Sequence, residues 1–88
     1  MKEYLSLGTI VLLKNGNKKL MIIGRAQIDG NTGIIYDYAA CLYPEGNISI
    51  YHTFLFNNED IDIVIFDGYK DEEEIEFLNF LLKELNYD

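Results

Sequence analysis

Cysteine, histidine and proline each occur once in these 88 residues, and seven basic residues stand against fifteen acidic ones. A lone Cys41 rules out an intramolecular disulfide, so nothing implies an oxidising compartment. A lone His52 excludes the usual zinc spacings and leaves any Cys-His pair dependent on Cys41. No apolar run approaches the roughly 18 residues of a membrane span. Met1-Lys2-Glu3-Tyr4 leads into no signal-peptide core. A cytoplasmic, soluble protein with no membrane partner is therefore expected. Glycines fall at turns or strand ends and never form GxGxxG or a P-loop, so no cofactor is expected. Asn58, Asp60 and Asp62 mimic the start of a calcium loop, but Ile63 takes the place of its glycine and Tyr69 that of its closing glutamate.

Nearly half the residues are apolar and a quarter are charged, the balance of one globular domain over 1–88 rather than of a disordered chain. The net charge of -8 divides unevenly: +4 over residues 1–28, -3 over 29–56 and -9 over 57–88. Such a chain repels nucleic acid at long range and accommodates a basic or neutral protein partner more easily.

The segment Leu7–Arg25, LGTIVLLKNGNKKLMIIGR, joins two apolar runs through a lysine-rich turn and reads as a β-hairpin. A two-residue Gly16-Asn17 turn would pair Leu13 with Leu20 and Leu12 with Met21. Both runs are apolar on both faces, as in strands central to a bent sheet or covered on the second face by a helix; the Asp71–Leu85 helix is expected to cover most of that face and a partner whatever remains. Turn residues at Asp29–Gly33 and Pro44–Asn47 bound a third strand with Tyr36, Tyr38, Ala40 and Leu42 on one face. In the fourth, Ile48, Ile50, His52, Phe54 and Phe56 share a face. Asn57-Asn58-Glu59-Asp60 suits one helical turn, and IDIVIF follows as an edge strand with Asp62 charging its exposed side.

From Asp71 the period becomes helical, with Ile75, Leu78, Leu82 and Leu85 aligned and Phe77 and Leu81 widening the stripe. Asp71 as N-cap with Glu74 three residues later reads as an acidic capping box, and Glu72 and Glu73 complement the helix dipole. The expected fold is α+β and mainly β. It is a five-stranded antiparallel meander curled into a small SH3-like barrel or a bent sheet, with one C-terminal amphipathic helix. Strands are expected over about 8–14, 19–28, 34–43, 48–56 and 61–66, and the helix over about 71–86.

No catalytic constellation emerges. His52 and Cys41 read as strand and core residues, and Asp37 as an outward-facing carboxylate without a partner for acid-base work. Two binding surfaces are candidates. Tyr36, Tyr38, Tyr43 and Tyr51 offer an aromatic protein-binding surface. Lys14, Lys18, Lys19 and Arg25 offer an anion contact at the hairpin tip.

The stretches GTIVLLKNGNKKLMIIGR, YDYAACLYPEG and FNNEDIDIVIFDGY, followed by the acidic helix, resemble the bacterial family described as domain of unknown function 4176. Members are small proteins of Gram-positive bacteria, often encoded near type VII secretion systems and their LXG toxins. The resemblance implies an accessory, adaptor or immunity-like role with a secretion substrate or helical accessory protein as partner, and it supplies no catalytic residues. A non-enzymatic protein-binding module is the expectation, and a small anion- or nucleic-acid-binding barrel using the basic tip is the alternative.

Overall fold

The computed structural model describes residues 3–85. Its strands are β1 (Ile10–Leu13), β2 (Leu20–Ile28), β3 (Ile35–Leu42), β4 (Phe54–Phe56) and β5 (Ile61–Phe66), followed by one helix, α1 (Glu72–Glu84). They form a single antiparallel sheet in the order β4-β3-β2-β1-β5. β1 to β4 are a meander, whereas β5 crosses to the far edge and pairs with β1. The sheet is open: β4 and β5 are its two edges and do not pair with each other. The fifth strand is an edge, as Asp62 suggested, but the simple five-strand meander is replaced by this return to β1. No closed barrel forms.

The hairpin register differs from expectation. Ile10 pairs with Met21 and Val11 with Leu20, a slip of two residues that widens the loop to 14–19. A two-residue slip keeps every side chain on its original face, so the core pattern tolerates it. The cause lies in β5, which takes up the end of β1: Leu12 pairs with Ile63 and Leu13 with Ile61, and Lys14 N donates to Asp60 O at 2.9 Å. Gly16 N donates to Leu13 O at 2.9 Å and Asn15 adopts a left-handed φ of 64°, which closes the loop locally.

The fourth strand is shorter than read. Only Phe54–Phe56 is extended, and Ile50–His52 is a 3-10 turn. Ser49 Oγ accepts from Tyr51 N at 2.9 Å, a side-chain cap that competes with the ladder. His52 is therefore exposed, with Nδ1 3.3 Å from Ser49 Oγ, rather than half-buried in a strand.

The pairing fixes which side chains share a face. Tyr4, Val11, Leu20, Ile22, Tyr38, Ala40 and Phe56 form the core on one side, the inner face. The Tyr38 ring meets Tyr4 edge-on at 6.1 Å between centroids and Phe56 at 5.6 Å. From α1, Leu78, Leu81 and Leu82 pack against this cluster. Ile75 and Phe77, expected in the buried stripe, are instead exposed. The helix expected over about 71–86 is assigned as Glu72–Glu84, and Asn86 lies outside the described residues.

The first turn of α1 explains its placement. Asp71 Oδ1 accepts from Glu74 N at 3.1 Å, as a cap should. The other half of the expected box is not formed, because the Glu74 carboxylate turns to Arg25 on β2, receiving Nη1 at 2.6 Å and Nη2 at 2.8 Å. Arg25 Nη1 also donates to Leu5 O at 3.1 Å, tying the helix start, β2 and the N-terminal segment together. Nearby, Gly68 lies so close to that segment that a Cβ on it would sit 2.1 Å from Leu7 O. Among the described residues no helix is long and apolar enough to cross a membrane.

Candidate functional site

Helix α1 serves the inner face, which leaves the second apolar face of the hairpin as the place to look. On that outer face Ile10 pairs with Met21 on one side and with Phe66 on the other, and Met21 pairs with Cys41. The centre of the face is dry, since Ile10, Ala39 and Cys41 are all buried. The margin along β5 is not. Ile63 and Phe66, opposite Leu12 and Ile10, are 49% and 61% exposed and Ile65 at the bulge is 44% exposed, whereas Val64 pairs with Val11 and belongs to the inner face. Register shifts at Asp62 and Ile65 twist this strand against β1, as edge strands commonly do.

Between β5 and the β2–β3 end of the sheet runs an open groove of about 420 Å³, lined by Ile10, Met21, Tyr43, Ile65 and Phe66 with Lys19 at its mouth. Its walls are aliphatic and aromatic, and Lys19 is its one charged group. Lys19 Nζ stands 6.0 Å from the Tyr43 ring centroid, at the limit of a cation-π contact. Such a groove can take up apolar side chains.

The candidate tyrosines separate. Tyr38 is fully buried, its hydroxyl donating to Asn58 Oδ1 at 2.5 Å and accepting from Leu5 N at 2.8 Å, so it belongs to the core and offers no partner surface. Tyr36 is half-buried, Tyr43 lines the groove and Tyr51 is 88% exposed on the 3-10 turn. The basic set separates as well. Lys14, Lys18 and Lys19 share the 14–19 loop, but Lys18 Nζ is engaged by both carboxylate oxygens of Glu45, at 2.8 and 3.0 Å. That pairing holds the Glu45 carboxyl below the ordinary glutamate range, helped by a backbone hydrogen bond. Arg25 lies apart, 9% exposed and committed to Glu74.

Asp37 does not face solvent as expected. It is 4% exposed: Oδ2 accepts from Asn58 N at 2.8 Å, and its own N–H donates to Asn57 Oδ1 at 2.9 Å. The carboxylate thus brackets β3 to the turn before β5. Cys41 is buried as a small core side chain. A larger cavity of about 510 Å³ by the start of α1 is lined by Arg25, Glu74, Tyr69 and Phe77, where the arginine is already neutralised from within. Among the described residues no group of three or more metal-ligating side chains occurs, and no buried side-chain polar atom lacks a hydrogen-bond partner. Ile65 and Phe66 line the groove without any motif of their own, and only the apolar run IDIVIF marks them in the sequence.

The family model described as domain of unknown function (DUF4176) matches residues 4–77. No curated protein and no solved structure matches the chain.

Proposed function

The chain belongs to the domain of unknown function 4176 family, and we propose that it is a non-enzymatic protein-binding module that receives its partner on the outer face of the open sheet, along β5. The observation that carries this reading is the exposure of Ile63, Ile65 and Phe66 along β5 beside the apolar groove. Exposed apolar patches of this kind, on an edge strand and in contact with a groove, are characteristic of interaction surfaces. A helix laid in the groove and a strand added to β5 are both compatible with the surface. Action in the cytoplasm beside type VII secretion cargo, as an accessory or adaptor, is part of this proposal, and what supports it is the genomic setting that the family resemblance implies.

The basic tip supports an anion-binding role less well. Lys18 is already paired with Glu45 and Arg25 with Glu74, which leaves Lys14 and Lys19 in a chain of net charge -8. The test is a pull-down between the tagged full chain and proteins encoded beside it, run in parallel with Phe66→Asp. A partner retained by the native chain and lost with the variant is expected. Failure of every neighbouring protein to bind removes the reading, and equal retention by the variant moves the surface elsewhere.

A further inference from the structure

The outer groove does not end at its apolar walls. A second hollow of about 380 Å³ adjoins it, lined by Asn17, Lys18, Lys19 and Pro44, and the two share Lys19 and Tyr43. One side of this joint site is aliphatic and aromatic, through Ile10, Met21, Ile65 and Phe66. The other is polar and basic.

The electrostatics of the joint site are set by which lysines are already matched. Lys18 is neutralised by Glu45. Lys19 makes no ion pair among the described residues and points its ammonium toward the Tyr43 ring. Lys14 is exposed on the same loop. This corner therefore carries surplus positive charge in a chain that is otherwise strongly acidic. The complementary ligand has an apolar group to fill the groove and an anion beside it to meet Lys19.

Resting on the protein-binding reading, we infer that the occupant is a segment of a different protein in which an apolar side chain enters between Ile10, Met21 and Phe66 while a neighbouring Asp or Glu pairs with Lys19. Nucleic acid fits less well, because the apolar half of the site offers a phosphate backbone nothing. A small amphiphile fits less well too, because Tyr43, Ile65 and Phe66 are themselves exposed and cannot enclose it. A second copy would bring the right chemistry on α1, where Phe77 and Phe80 stand exposed among glutamates. However, α1 packs on the inner face and the groove lies on the outer one, so copy-to-copy docking would be a head-to-tail contact rather than a self-complementary two-fold one.

The test titrates the full ¹⁵N-labelled chain with two blocked peptides of equal length, one built of Leu and Glu and the other of Leu and Lys. The Leu/Glu peptide should shift the amides of Ile10, Lys19, Met21 and Phe66 and bind at least about tenfold more tightly than its Leu/Lys twin. Lys19→Glu should reverse that preference and Phe66→Asp should remove binding of both; both residues are exposed, and an unchanged spectrum elsewhere confirms the fold of each variant. Equal binding of the two peptides, a preference that survives Lys19→Glu, or the absence of groove shifts overturns the inference. Self-association of the chain that Lys19→Glu abolishes does so as well, by making the second copy the occupant. A neighbouring protein that binds without shifting the groove overturns this inference and leaves the broader protein-binding reading standing.

Discussion

Replacing Glu74 with alanine should destabilise the fold by about 3 kcal/mol, the lower end of what removing one member of a buried ion pair costs. The magnitude follows from what remains. The Arg25 side chain is only 4% exposed, and without Glu74 it keeps Leu5 O at 3.1 Å but loses two charge-assisted bonds at 2.6 and 2.8 Å. Glu74 itself is 15% exposed, so water can reach part of the vacated site and soften the loss. Alanine is a better helix former than glutamate and leaves the Asp71 cap on the residue 74 N–H intact, so α1 itself should not suffer. A domain of this length has a total stability of roughly 4–13 kcal/mol, which makes the loss easy to read by urea denaturation monitored by circular dichroism. The exposed neighbour Glu72→Ala is the control and should lose no more than about 1 kcal/mol through the helix dipole. Replacing both partners, Arg25→Met with Glu74→Leu, should recover most of the loss, because no unpaired charge is then buried. A loss below about 1 kcal/mol for Glu74→Ala would equal that of an exposed pair and refute the idea that Arg25 anchors the helix.

Gly68→Ala should cost at least about 1–3 kcal/mol and lower the thermal midpoint, because the new methyl would strike backbone, Leu7 O at 2.1 Å and Thr9 N at 2.9 Å. Tyr38→Phe should cost about 1–3 kcal/mol in the same denaturation assay, since it strands both Asn58 Oδ1 and Leu5 N in a partly buried setting. The Glu45 carboxyl, followed by NMR, should titrate below the ordinary glutamate range and move back up in Lys18→Ala. Its depressed pKa means that the pairing favours the folded state above the unfolded-chain value and is lost as pH falls through the folded value, so Lys18 is released only in acid. Cys41, fully buried, should react with a thiol reagent only at the rate at which the chain opens; immediate reaction in native buffer would contradict its place in the core.

Periodicity made the secondary structure legible, because alternating apolar residues and the switch to a helical repeat at Asp71 are local properties. Most places where local reasoning failed are decided by distant partners. Glu74 looked like half of a capping box until Arg25, on another strand, offered a stronger bond. Asp37 looked solvent-facing because alternation along β3 says nothing of the Asn57-Asn58 turn that closes over it. The hairpin slipped by two residues because β5 competes for the end of β1, a contact between residues some fifty positions apart. Ser49 ended the fourth strand early through a cap that the apolar run masked. For the candidate site, the hairpin's two apolar faces pose the question of what covers the second one, and Tyr43 and Lys19 are legible in the sequence as surface aromatic and basic residues. Ile65 and Phe66 became part of the answer only once the strand order placed β5 beside β1.

Hydrogen exchange of the full chain with and without a protein recovered from its gene neighbourhood is the most direct test of the outer face as a docking surface. Amides of Ile63–Phe66, together with Met21 and Tyr43, should slow on binding. Protection confined to α1 or to the 50–52 turn, with β5 exchanging as in the free chain, would contradict that assignment.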